Sequence, residues 1–370
     1  MRVGGTPYRT LWAEGRVVRA IDQNRLPFDF VVVEWRTLED AAAAIRTMQV
    51  RGAPLIGAAA AYGMALGVAE DPSARGLVRA RERLLQTRPT AVNLRWALDR
   101  VAERVGPLPE AARAEAAFRV AAELCDEDVA VNRALGEHAG GILRRLAREK
   151  GTRAGTGRGG APPLNVLTHC NAGWLATVDL GTATAGIYLA HDQGLPLHVW
   201  VDETRPRGQG ARLTAWELAS HGVPHTVVTD TTAPHLLARG AVDVVLVGTD
   251  RTTATGDVAN KIGTYGVALA ARDNGVPFYV AAPSSSIDFA LSDGREIPIE
   301  ERAPDEVAWV SGRTAAGEIA AVRVLPEDSP TLNVAFDVTP ARLVTGIVTE
   351  RGVAPASREG LAALFPERAG

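Results

Sequence analysis

The spacing of apolar side chains changes character several times along this 370-residue chain. Residues 1–35 carry short β-type clusters: Leu11, Trp12, Val17, Val18 and Ile21, then Val31, Val32, Val33 and Trp35. From Thr37 the period becomes helical, through Leu38, Ala41, Ala42, Ile45 and Met48, with Thr37 as N-cap and Asp40 three residues on. Pro54 opens an alanine-rich helix over 55–69. Residues 76–104 predict two helical pieces broken at Arg88-Pro89-Thr90, and 110–148 predict one long helix. Beyond residue 163 apolar strands alternate with helical runs: strands at 164–168, 197–201, 224–229, 242–247 and 277–282, helices at 174–193, 211–221, 233–239 and 259–275. Such alternation predicts a parallel, doubly wound sheet with right-handed crossovers. The run 336–340, the apolar stretch 343–348 and a short helix within 354–370 complete the chain.

The fold class is therefore α/β, with a smaller, mostly helical α+β domain over 1–150 and a catalytic domain over 164–370. Residues 151–163, rich in Gly and Pro, are expected to link the two. Gly155, Gly157 and Gly160 match G-x-G-x-x-G literally, but they follow a helix and precede a strand, the reverse of the dinucleotide fingerprint.

Composition narrows the function classes. Hydrophobic residues make up 46% and charged residues 22%, with a net charge of −3 and 5% aromatics. This is ordinary globular composition, without the basic or aromatic footprint of a nucleic-acid binder. No apolar signal region opens the sequence, and no apolar run is expected to span a bilayer. Two cysteines, Cys125 and Cys170, lie far apart, which fits a cytoplasmic protein without disulfides or a zinc site. Cys125 sits among Phe118, Ala121, Ala122 and Leu124 and reads as packing. The histidines show no ligand spacing, and no metal or cofactor is expected.

The chemistry collects where strands end. Ligands of open parallel sheets bind outside the carboxyl ends of the strands. Cys170 and Asn171 follow the first strand; Asp202, Glu203, Arg205 and Gln209 follow the second; Asp230 follows the third and Asp250 the fourth. A thiol and several carboxylates on one sheet edge suggest an acid/base site. Asn260 and Lys261 are expected near the start of the 259–275 helix, suited to an anion or a sugar oxygen. Arg51-Gly52-Ala53-Pro54 combines a guanidinium with a helix start, a natural anion cradle, and Arg88 occupies another such turn. On spacing alone, both arginines are equally explained as solvated turn residues.

Six segments taken together carry a resemblance. They are Arg51–Pro54, Arg88–Leu94, Thr168–Gly173, Asp202–Pro206, Gln209–Thr214 and Gly256–Tyr265. In colinear order, within a match over about residues 20–353, they resemble the methylthioribose-1-phosphate isomerase family. Its wider group includes ribose-1,5-bisphosphate isomerases and regulatory subunits of the eukaryotic translation-initiation exchange factor. The resemblance implies a Rossmann-like C-terminal domain, a homodimer, and an aldose–ketose isomerase of methionine salvage acting on a sugar phosphate without a cofactor. It implies Asp250 as general acid and Cys170 as second catalytic group, with Arg51, Gly52, Ala53, Arg88, Gln209, Asn260 and Lys261 binding substrate. It leaves two alternatives: a related 1-phosphorylated pentose (5-deoxyribose-1-phosphate or ribose-1,5-bisphosphate) as substrate, or a non-catalytic regulatory subunit. The longer linker, Leu55 and Val334 depart from the family pattern, and none falls on a matched site position.

Overall fold

A computed structural model describes residues 1–151 and 162–368. Most of the glycine-rich stretch, with Gly155, Gly157 and Gly160, lies outside the described residues. The N-terminal part holds an antiparallel meander of β1 (Leu11–Glu14), β2 (Val17–Ile21) and β3 (Val32–Trp35). Five helices follow: α1 (Leu38–Arg46), α2 (Ala53–Glu70), α3 (Ala74–Leu85), α4 (Val92–Val105) and α5 (Glu110–Lys150). Helix α1 starts as its sequence dictates: the Thr37 hydroxyl accepts from the Asp40 N–H, and the Asp40 carboxylate accepts from the Thr37 N–H.

Helix α2 corrects one expectation, since it has the length and hydropathy of a membrane span. Its residues are 78% buried, however, enclosed by α1, α3, α4 and α5. A helix apolar on every side requires such enclosure. Helix α5 belongs to two cores. Val120, Ala121, Leu124 and Cys125 pack with α2, whereas Leu135, Ala139, Leu143 and Ala147 pack under the second sheet.

That sheet contains β4 (Leu164–Thr168), β5 (Leu197–Asp202), β6 (His225–Val228), β7 (Val244–Val247), β10 (Phe278–Ala281), β15 (Gly346–Thr349) and β16 (Gly352–Ala354). Its order is β16-β15-β10-β7-β4-β5-β6, parallel throughout except at β16. The chain builds outward from β4 through β5 to β6, then returns to β4's other side with β7. This is the 3-2-1-4-5-6 order of dinucleotide-binding sheets, and the crevice between β4 and β7 is its topological switch point. Crossover helices α6 (Ala183–Asp192), α7 (Ala215–His221), α8 (Thr232–Ala238) and α9 (Thr264–Asp273) join the strands.

A second sheet corrects the helix expected over 259–275. After β7 the chain forms β8 (Arg251–Thr253) and β9 (Val258–Lys261), and α9 begins only at Thr264. Strand β9 pairs with β8 on one side and with β14 (Phe336–Thr339) on the other, and β11 (Ile287–Asp288) joins β8. Pairing on both sides supplies backbone partners from distant chain, which local spacing cannot report. Asn260 and Lys261 therefore stand on a buried strand. The helix expected at 174–193 likewise begins only at Ala183, after a single turn at Trp174–Ala176. Leu180 and Gly181, with φ 68° and 81°, interrupt the expected run, and the N–H groups of Trp174 and Leu175 donate to the Glu217 carboxylate. An exposed hairpin of β12 (Trp309–Arg313) and β13 (Ile319–Arg323) precedes β14.

Helices α5 and α6 cross at small residues. A Cβ placed on Gly186 would lie 2.5 Å from the Ala139 Cβ and 3.0 Å from the Gly140 nitrogen. Gly186→Val is therefore expected to lose about 1–3 kcal/mol, the usual cost of overpacking. Urea unfolding reads this as a lowered midpoint; an unchanged midpoint would contradict so close a crossing.

Candidate active site

Strand ends deliver Cys170 and Asp250, strand β9 carries Asn260 and Lys261, and helix-opening turns carry the arginines. Cys170 leaves β4 with φ 67°, a region that non-glycine residues seldom enter. The conformation is held from both sides: the Cys170 N–H donates to Thr204 Oγ1 at 2.8 Å, and the Thr214 hydroxyl donates to the Cys170 carbonyl at 2.7 Å. Such a conformation persists only where its surroundings over-determine it. Asp250 leaves β7, and its N–H donates to the Ala259 carbonyl at 3.0 Å, which sets it opposite Asn260 and Lys261 of β9. Arg51, Gly52 and Ala53 come from the turn into α2, and Arg88 comes from the turn between α3 and α4.

Cys170, Asp250, Arg51, Gly52, Ala53, Arg88, Gln209, Asn260 and Lys261 all line one cavity. Met48, Pro54, Ile56, Ala176 and Phe336 supply its apolar wall. Gly52 has φ 101°, and a Cβ there would fall 2.5 Å from the Ala176 backbone, so only glycine lets α2 reach the switch point. The Arg51 guanidinium is forked onto Asn171, donating to Oδ1 at 2.5 Å and to the carbonyl at 2.9 Å. Arg88 donates to Glu300 at 2.7 Å, and Glu300 in turn accepts from Arg302 at 2.8 Å. Lys261 Nζ lies 4.9 Å from the centre of the Phe336 ring. Gln209 Oε1 is buried with no hydrogen-bond partner among the described residues, an acceptor left for a ligand hydroxyl.

The electrostatics follow from desolvation. Burial raises the Asp250 carboxyl, against the opposing charges of Lys261, Arg51 and Arg88, so the acid form persists above the usual carboxylate range. Burial also raises the Cys170 thiol, and Arg51 and Lys261 only partly offset it. The nearby cations therefore do not outweigh desolvation in favour of a thiolate. Burial lowers Lys261, with Cys170 and Asp250 acting the other way.

Of the carboxylates expected on this edge, only Asp250 faces the cavity. Asp202 is fully buried behind it, 2.9 Å from His169 Nδ1, while His169 Nε2 lies 2.8 Å from the Ile262 carbonyl. Burial alone would lower His169, but the Asp202 hydrogen bond and charge and the Ile262 carbonyl together raise it. Asp230 accepts from the N–H groups of Thr204 and Arg205. Glu203 and Arg205 line a separate, wider cleft that also meets Arg51 and Gln209. His169, Asp202 and Asp230 bring ligand-type atoms within 4.8 Å of one another, a grouping that sequence spacing did not reveal. The hydrogen bonds just described account for it. Glu217 was also missed: in sequence it is one acidic residue on a short helix, yet it is fully buried and holds Asn171.

Comparison with known proteins agrees with this architecture. Residues 49–356 match the Initiation factor 2 subunit family. The methylthioribose-1-phosphate isomerase of Rhodospirillum rubrum is 63% identical, over all of this chain and 94% of that protein. That of Rhizobium meliloti is 58% identical over the whole of both. The crystal structure of 5-methylthioribose 1-phosphate isomerase from Pyrococcus horikoshii OT3 superposes with a TM-score of 0.82 at 41% identity, covering 98% of this chain and 96% of that one. The delta subunit of translation initiation factor eIF-2B from A. fulgidus superposes with a TM-score of 0.79 at 36% identity, covering 97% and 100%. With its switch-point cavity and full-length likeness, the chain belongs to the Initiation factor 2 subunit family and, within it, to the methylthioribose-1-phosphate isomerases.

Proposed function

We propose that this protein converts 5-methylthioribose-1-phosphate to 5-methylthioribulose-1-phosphate, the aldose–ketose step of methionine salvage. The observation that carries the reading is the meeting of Cys170 and Asp250 in one cavity with the cations Arg51, Arg88 and Lys261. Arg51, Arg88 and the N–H groups at the start of α2 would hold the phosphate. Gln209, Asn260 and Lys261 would take the sugar oxygens. The apolar wall of Met48, Pro54, Ile56, Ala176 and Phe336 suits a methylthio group at C5 better than a second phosphate, which favours this substrate over a bisphosphate. A regulatory subunit, the reading suggested by the eIF-2B relative, has no use for a buried thiol and carboxyl facing one cavity.

The substrate is an aldose locked as a ring by phosphate on its anomeric oxygen. Asp250 protonates the ring oxygen, the bond from C1 to that oxygen breaks, and C1 becomes electron-poor. Two routes then lead to the ketone. In the proton route a Cys170 thiolate removes the proton from C2 and returns it to C1, while the Asp250 carboxylate accepts the proton of the C2 hydroxyl. In the hydride route the C2 hydrogen moves to C1 with its electron pair, while the Asp250 carboxylate accepts the proton of the C2 hydroxyl. The raised thiol favours the second route, because it needs no thiolate. Closure around the sugar would keep water from the cationic intermediate.

The reading extends to a cytoplasmic homodimer. Both cysteines are free and buried, and the β12–β13 hairpin exposes Trp309, Ile319 and Val322, apolar surface that a second copy would cover. Light scattering is expected to give twice the chain mass of 39.0 kDa.

Asp250→Asn is expected to lower kcat by about 10²–10⁴-fold with little change in KM. Arg88→Ala is expected mainly to raise KM. In the parent enzyme kcat/KM should fall on the alkaline side as Asp250 loses its proton, at a pH above the ordinary carboxylate range. Near-native turnover by Asp250→Asn would remove it as the acid. With substrate deuterated at C2, the hydride route predicts complete retention of label at C1, and washout into solvent would establish the proton route.

A further inference from the structure

We propose that Glu217 positions Arg51 for the substrate phosphate through the side-chain amide of Asn171, which it holds in one of its two orientations. The inference rests on the reading above that Arg51 is a phosphate ligand. It adds two residues, Glu217 and Asn171, to the machinery of the site.

Hydrogen-bond polarity carries the argument. The buried Glu217 carboxylate is surrounded by donors. Oε1 accepts from Asn171 Nδ2 at 2.9 Å and from the Leu175 N–H at 2.7 Å. Oε2 accepts from the Trp174 N–H at 3.0 Å and from the Tyr188 hydroxyl at 2.8 Å. Each of its oxygens accepts a backbone N–H, Oε1 from Leu175 and Oε2 from Trp174, so the Asn171 group facing Oε1 must be the NH₂. Thr214 Oγ1 agrees: it donates to the Cys170 carbonyl at 2.7 Å and so receives Asn171 Nδ2, at 3.2 Å, as an acceptor. With Nδ2 committed twice, Asn171 Oδ1 must point the other way, toward Arg51.

Arg51 then meets two acceptors on one residue, the Oδ1 and the carbonyl of Asn171. This fork uses two of its five N–H groups and fixes the guanidinium plane where it lines the cavity beside Cys170. If the amide were reversed, an NH₂ would face the guanidinium and the fork would open. Two details show that the chain is built around this contact. A Cβ on Gly173 would lie 1.9 Å from Glu217 Oε2, so the loop after Cys170 approaches the carboxylate as only glycine allows. The N–H groups of Trp174 and Leu175, the leading donors of the turn at Trp174–Ala176, are both spent on Glu217.

The test uses inorganic phosphate as a competitive inhibitor of the full-length enzyme, beside KM and kcat for the sugar phosphate. Glu217→Gln and Asn171→Ala are each expected to weaken phosphate binding and raise KM by about tenfold or more, with kcat lowered much less. Asn171→Ala leaves Glu217 its three other donors and keeps the test open should Glu217→Gln fail to fold. If Glu217 acts through Asn171, the double variant Glu217→Gln/Asn171→Ala is expected to weaken phosphate binding no further than Asn171→Ala alone. Arg51→Ala separates the layers. If it weakens phosphate binding while Glu217→Gln and Asn171→Ala do not, the positioning role is overturned and the phosphate reading stands. If Arg51→Ala leaves phosphate binding unchanged, both fall. A folded double variant whose losses add would overturn the relay by showing that Glu217 acts without Asn171.

Discussion

Strands β4 and β7 lie side by side although α6, β5, α7, β6 and α8 separate them in the chain, and this adjacency governs the site. A parallel sheet that grows first to one side of its founding strand and then to the other leaves a crevice at the reversal. The carboxyl ends of β4 and β7 border that crevice, so Cys170 and Asp250 face the same space. The N-terminal helices close it from above. Gly52 brings the start of α2 against Ala176, and the α3–α4 turn brings Arg88 across to Glu300.

Desolvation then sets the chemistry. A thiol, a carboxyl and an ammonium share a closed volume, and burial pushes each toward its neutral form. Arg51 and Arg88 add two guanidinium groups to the same lining. The cavity thus sets guanidinium cations beside a carboxyl that burial raises above its ordinary range. The surrounding polar groups are hydrogen-bonded behind the wall: Glu217 to Asn171, Asp202 to His169, and Asp230 to the Thr204 and Arg205 backbone. Gln209 Oε1, on a residue of the cavity's lining, has no such partner among the described residues, nor do Asp202 Oδ1 and Arg88 Nε.

Much of this was legible in the sequence. Strands that end in chemistry-bearing residues placed Cys170 and Asp250 on one edge before any coordinates, because the alternation of strand and helix forces a parallel sheet. Arg51 and Arg88 were ambiguous between solvated turns and anion ligands, and only their closure over the crevice resolves where they point. Asn260 and Lys261 reach the expected cavity on a different element, since β9 takes its partners from β8 and from β14, some seventy-five residues later in the chain. Asp202, Glu203 and Asp230 also follow strands, yet the side chains turn away from the cavity; strand position fixes an edge but not a direction. Glu217 and His169 gave no signal, because the meaning of a buried polar residue lies in partners that only the folded chain supplies.

The central claim is that one cavity, anchored by cations and walled by apolar side chains, isomerises a 1-phosphorylated pentose bearing an uncharged C5 substituent. The direct measurement is kcat/KM of the purified protein for 5-methylthioribose-1-phosphate, 5-deoxyribose-1-phosphate and ribose-1,5-bisphosphate under one set of conditions. The account predicts the highest value for the methylthio sugar and the lowest for the bisphosphate. Preference for the bisphosphate, or no turnover of any of the three, would contradict it.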